Sequence, residues 1–107
     1  MNTEEELKGI VGFLNEKIFR YPQRLRLEIK NRPDLGGVLA FMELSEEPVV
    51  VPVPPITICW GGGEDIQSAC EIMLKKFSVG SDLLWKYLPF TAGSLEELKL
   101  KATAYYG

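Results

Sequence analysis

The chain has 107 residues, enough for one domain built on a single apolar core. Hydrophobic residues make up 46% and charged residues 25%, ordinary globular values that exclude general disorder. A net charge of −3 argues against attraction of the whole molecule to nucleic acid or to an anionic membrane, and the lack of any histidine rules out Ser–His and Cys–His nucleophiles.

The opening "MNTEEELKG" is acidic where a signal peptide would be basic and then apolar. No apolar run approaches the ~20 residues of a membrane span. A soluble, cytoplasmic protein is expected. From Thr3 the spacing predicts a helix. Thr3 and Glu6 form a capping-box pattern, and Leu7, Ile10, Val11, Leu14 and Ile18 fall on one stripe. Gly9 and Gly12 weaken this helix but let a neighbour approach closely. Tyr21-Pro22 should end it, because the residue before proline is pushed out of the helical region.

"RLRLEIK" alternates cleanly, with Leu25, Leu27 and Ile29 on one face and Arg24, Arg26, Glu28 and Lys30 on the other. This is the signature of a half-buried strand. "NRPDLGG" supplies turn residues, and "VLAFMEL" returns as a second strand, apolar on both faces until Glu43. In "SEEPVVVPVPP" the prolines 48, 52 and 54 share parity, which blunts one side of an extended segment. Val49, Val51 and Val53 keep the other side free for pairing, so the segment reads as an edge strand or as a stiff extended linker.

"ITICW" reads as a strand and "EDIQSACEIMLKKF" as a helix, with Ile66, Ala69, Cys70, Met73 and Phe77 on one face. Glu64 and Asp65 at its start and Lys75 and Lys76 at its end suit the helix dipole. Gly61-Gly62-Gly63 between them invites comparison with phosphate-binding loops. A third spaced glycine is missing, no Gly-Lys-Ser/Thr follows, and the two acids sit where an anion would dock. A tight strand-to-helix turn, closed by its own acids, is the expectation. "SDLLWKYL" predicts a short helix. "SLEELKLKATAYYG" fits a helix through Ser94, Glu97, Leu95, Leu98 and Ala102. It fits a strand through the alternation of Leu98, Leu100, Ala102, Ala104 and Tyr106, and the strand is preferred.

The expected architecture is α+β: one domain over residues 1–107, with an antiparallel sheet of about four to five strands covered on one face by two to three helices. Cys59 and Cys70 lack metal-ligand spacing and read as buried reduced thiols. No catalytic constellation, metal site or cofactor motif assembles, so a non-enzymatic role is expected.

Two stretches bear on family. "ITICWGGGEDIQSACEIML" resembles the apolar strand, acidic helix start and helix of the sterol-carrier-protein-like lipid-binding fold. "SDLLWKYLPFTAGSLEELKLKAT" resembles that family's short helix, glycine and basic amphipathic strand. The resemblance implies carriage of a fatty or sterol-like ligand without chemistry.

The leading expectation is a module holding an apolar small molecule or lipid between helices and sheet, lined by Met73, Phe77, Leu84, Trp85 and Leu88. The alternative is a small interaction or adaptor subunit, meeting a protein partner or a second copy. It would pair through Val49, Val51 and Val53, or through the basic stretch that carries Lys17, Arg20, Arg24, Arg26, Lys30 and Arg32. Trp60, Trp85, Tyr87, Phe90, Tyr105 and Tyr106 are read as core, cavity or interface aromatics.

Overall fold

A computed structural model describes residues 3–20, 22–46, 54–79, 88, 90 and 92–106. Helix α1 spans Thr3–Lys17, strands β1, β2 and β3 span Gln23–Arg32, Gly37–Glu46 and Ile56–Gly63, and helices α2 and α3 span Ile66–Val79 and Leu95–Tyr106. The strands form an antiparallel sheet in the order β1-β2-β3. The three helices and three strands confirm the α+β class. The Val49–Val53 segment and the helix predicted over 81–88, apart from Leu88, lie outside the described residues.

The stripe on α1 buries Leu7, Ile10 and Leu14 completely. They pack with Leu25 of β1, with Ala40, Met42 and Leu44 of β2, and with Ala69, Cys70, Met73 and Phe77 of α2. Alternation along β1 and β2 decides which residues join this core, since a pleated strand sends successive side chains to opposite faces. The hairpin runs as expected, from Gln23 paired with Glu46 to Arg32 paired with Gly37. Its turn closes through Gly36, whose φ of 82° is left-handed backbone that glycine adopts without steric cost.

Strand β3 departs from regular pleating once. Cys59 pairs with Met42 and Thr57 with Glu43, so Ile58 is the extra residue of a register slip. Such a bulge locally bends the strand and re-aims side chains. Here it lets Ile58 and Cys59, adjacent in sequence, both enter the core. Cys59 and Cys70 are buried free thiols, and burial pushes the Cys70 thiol above its ordinary pKa.

The tail is the main correction. Residues 95–106, expected as a strand, form α3, and the sheet has three described strands rather than four to five. Local and distant contacts both favour the helix. Ser94 Oγ accepts from Glu97 N–H at 3.1 Å, the Glu97 carboxylate accepts from Gly93 N–H at 3.0 Å, and Glu97 pairs with Lys101 at 2.9 Å. These are a capping box and an i,i+4 ion pair. From α1, Glu6 accepts from Leu95 N–H at 2.6 Å, so the acid expected to reach back to the start of its own helix caps another. Leu98 and Ala102, one turn apart, are buried, while Leu100 of the apparent alternation is 68% exposed. Gly9 makes room for α3: a Cβ there would lie 2.8 Å from the Leu95 Cδ2 atom.

A smaller correction concerns Ile66, expected on the buried face of α2 but 43% exposed. It is the first residue of α2, three residues past the end of β3 at Gly63.

One side chain joins helix to sheet edge. The Asn15 amide donates to the Leu25 carbonyl and accepts from the Leu25 N–H, both at 2.8 Å, and so occupies the outer edge of β1 at that residue. Replacing Asn15 by leucine should destabilise the protein by roughly 1–3 kcal/mol, because both backbone groups lose their partner in a part-buried site. An unchanged urea midpoint would show that the bond pair carries no stability.

Candidate functional site

The expected site residues separate into three places. Met73 and Phe77 are fully buried on the inner face of α2, and Leu88 joins them in the core. Leu84, Trp85, Val49, Val51 and Val53 lie outside the described residues. The basic stretch is divided by the turn between α1 and β1. Lys17 and Arg20 go to a cleft, Arg24, Arg26 and Lys30 go to the sheet, and Arg32 is held by Asp34 at 2.8 Å and 3.0 Å.

The cleft lies between α1 and α3. It encloses about 270 Å³ and is lined by Phe13, Lys17, Arg20, Ala102, Thr103 and Tyr106. Two cations thus stand beside apolar and aromatic surface. Phe90 packs against the far end of α3, with ring centroids 5.3 Å from Tyr105 and 6.5 Å from Tyr106.

The glycine stretch is a packing device. Gly61–Gly63 continue β3, and a Cβ at Gly61 would meet the Ala69 carbonyl oxygen at 2.6 Å and the Met73 nitrogen at 2.7 Å. The α2 backbone therefore lies directly on the strand. At the helix start Asp65 accepts from Ser68 N–H at 2.7 Å, filling the place a phosphate would take. That hydrogen bond holds the Asp65 carboxyl below its ordinary pKa. A depressed carboxylate contributes stability that is present above the unfolded pKa of about 4 and is lost as pH falls through the lower folded value. Asp65→Ala should therefore lower the melting temperature at pH 7, and the gap from wild type should narrow toward pH 2. An equal gap at both values would show that the charge is not involved.

The sheet has two unlike faces. All described helices pack on the face of Ala40, Met42 and Leu44, directly or through α1. No described element packs on the other face. That face carries Arg24, Arg26, Glu28 and Lys30 from β1, Leu39, Phe41 and Glu43 from β2, and Trp60 from β3, as alternation and register require. Phe41 and Trp60 are direct cross-strand partners. Lys30 Nζ lies 5.5 Å from the Phe41 ring centroid, and Lys76 Nζ reaches from α2 to 3.6 Å from that of Trp60. Even so, Trp60 remains 53% exposed.

Reading the sequence found the cations of this face but missed the ring pair. In the sequence Trp60 falls among the C-terminal aromatics, and Phe41 lies in a strand apolar on both sides. The one available signal is parity: Phe41 alternates with Ala40 and Met42, so it turns to the opposite face of the sheet, where it is still buried.

Among the described residues no three His, Cys, Asp or Glu side chains gather as metal ligands. No described helix is long and apolar enough to cross a membrane. Compared with known protein families, with curated proteins and with solved structures, the chain gives no match, so its function is argued from these surfaces alone.

Proposed function

We propose that this chain is a non-enzymatic interaction module whose working surface is the open face of the sheet, which receives an acidic partner. One observation carries the reading. The face gathers four cations, Arg24, Arg26, Lys30 and Lys76, against two carboxylates, Glu28 and Glu43, in a chain with 12 basic and 15 acidic residues. The local charge sign is opposite to that of the whole, and a local field of this kind attracts and orients a charged partner. The exposed Trp60 ring lies inside the same patch, and aromatic residues with cations around them are enriched where partners dock.

Retention on a heparin resin at low salt tests this reading. A protein of net charge −3 should pass through unless a cationic patch holds it. We expect retention, lost when Arg24→Glu and Lys30→Glu are combined. Passage of the wild-type chain straight through the resin would end the reading.

A second reading keeps the apolar ligand. The α1–α3 cleft places Lys17 and Arg20 beside Phe13, Ala102 and Tyr106, a fit for a small amphipathic anion such as a fatty carboxylate. Native mass spectrometry of gently purified protein should then show a bound mass removed by solvent extraction. A clean apo mass, with no uptake of a fluorescent fatty-acid analogue, would exclude it.

A further inference from the structure

Building on the reading of the open sheet face as a docking surface, we infer that its partner is a single-stranded nucleic acid, with a base stacked on Trp60 and phosphates held by Arg24, Arg26, Lys30 and Lys76. Trp60 and Phe41 stand side by side across adjacent strands, each with a lysine ammonium over its ring, but Phe41 is buried and Trp60 is the ring open to a base. An acidic polypeptide would satisfy the cations and leave the 53% exposed Trp60 ring without a partner. A strand of nucleic acid satisfies both, because every base has a π face and every linkage has a phosphate.

The exchange is favourable in size. An exposed lysine–ring contact is worth about 2- to 5-fold in an equilibrium constant. A base stacked on an aromatic side chain contributes about 5- to 150-fold in affinity. The base takes the ring, and the displaced ammonium is already within reach of the phosphate. Duplex bases are stacked inside the helix and cannot reach the Trp60 ring, so the surface selects single strands. Sequence preference should be weak, since no described side chain on the face is an amide placed to read base edges.

Fluorescence anisotropy of a labelled mixed-sequence 12-nucleotide RNA, its DNA counterpart and a DNA duplex of equal length provides the test. We expect both single strands to bind more tightly than the duplex. The logarithm of affinity should fall with that of salt at a slope of about −3, as four phosphate contacts on a single strand require. Trp60→Ala should weaken single-strand binding about tenfold, the middle of the stacking range, while Trp60→Phe keeps most of it. Because Trp60 is exposed, its variants should keep the wild-type melting temperature, which separates lost binding from lost folding.

If single strands and duplex bind alike, or Trp60→Ala binds as wild type, the inference is overturned. Should the oligonucleotides fail while poly-glutamate binds through Arg24 and Lys30, the inference falls and the docking surface stands. If neither polymer binds at low salt, both fall.

Discussion

Gly61→Val is expected to destabilise the protein by about 3 kcal/mol or more, at the upper end of overpacking effects. The atoms that a side chain would strike are the Ala69 carbonyl oxygen and the Met73 nitrogen, both main chain. A rotamer change elsewhere cannot relieve contacts with backbone. Only lifting α2 away from β3 can, and that opens the layer holding Ala69, Met73 and Cys59. Gly61→Ala should already cost about 1–3 kcal/mol, because its single methyl meets the same atoms. Gly62→Ala is the control. Its nearest neighbour would be the Val38 carbonyl oxygen at 3.9 Å, an ordinary contact. Urea unfolding of the three variants reads the differences, and a Gly61→Ala protein as stable as wild type would show that the helix does not rest on the strand.

Phe77→Ala should cost about 3–5 kcal/mol, the range for emptying a large aromatic from a packed core. Phe77 is the largest fully buried side chain among the described residues and sits on the α2 stripe with Met73 and Cys70. The same residue was a candidate lining for an apolar ligand, and the substitution separates the two roles. A core phenylalanine leaves a void whose cost appears in the protein alone. A cavity-lining one leaves a site that is already open to a ligand, and its loss should be small in stability but large in uptake of a fluorescent fatty-acid analogue. A stability change below about 1 kcal/mol would move Phe77 out of the core account.

These two substitutions show why some of the fold was legible in the sequence. The α1 stripe, the alternation of β1 and the β3–α2 pairing are repeats of period 3.6 or 2 within short windows. Their buried faces follow from geometry that each segment carries by itself. Residues 95–106 resisted such reading because Leu98 and Ala102 satisfy both periods. The contest was decided elsewhere in the chain, by Glu6 capping the Leu95 amide and by Gly9 leaving room for the Leu95 side chain. The register slip at Ile58 was equally invisible, since it depends on how β3 meets β2.

The candidate site divides along the same line. The positive face of β1 was readable from alternation alone. Its neighbours were not. Phe41 comes to it from β2, Trp60 from β3 and Lys76 from α2. Net charge, a sum over the whole chain, carries no positions and so says nothing of where a local patch lies.

By itself, then, the sequence determined which residues α1 and β1 turn inward and that Arg24, Arg26 and Lys30 face away from the core. Only the tertiary structure decided that α3 is a helix, that Lys17 and Arg20 part from the other cations, and that two aromatic rings stand beside the basic strand. The physical reason is range. Periodicity acts over one or two turns of chain, whereas strand register and helix docking join residues far apart, and no local pattern encodes which of them will meet.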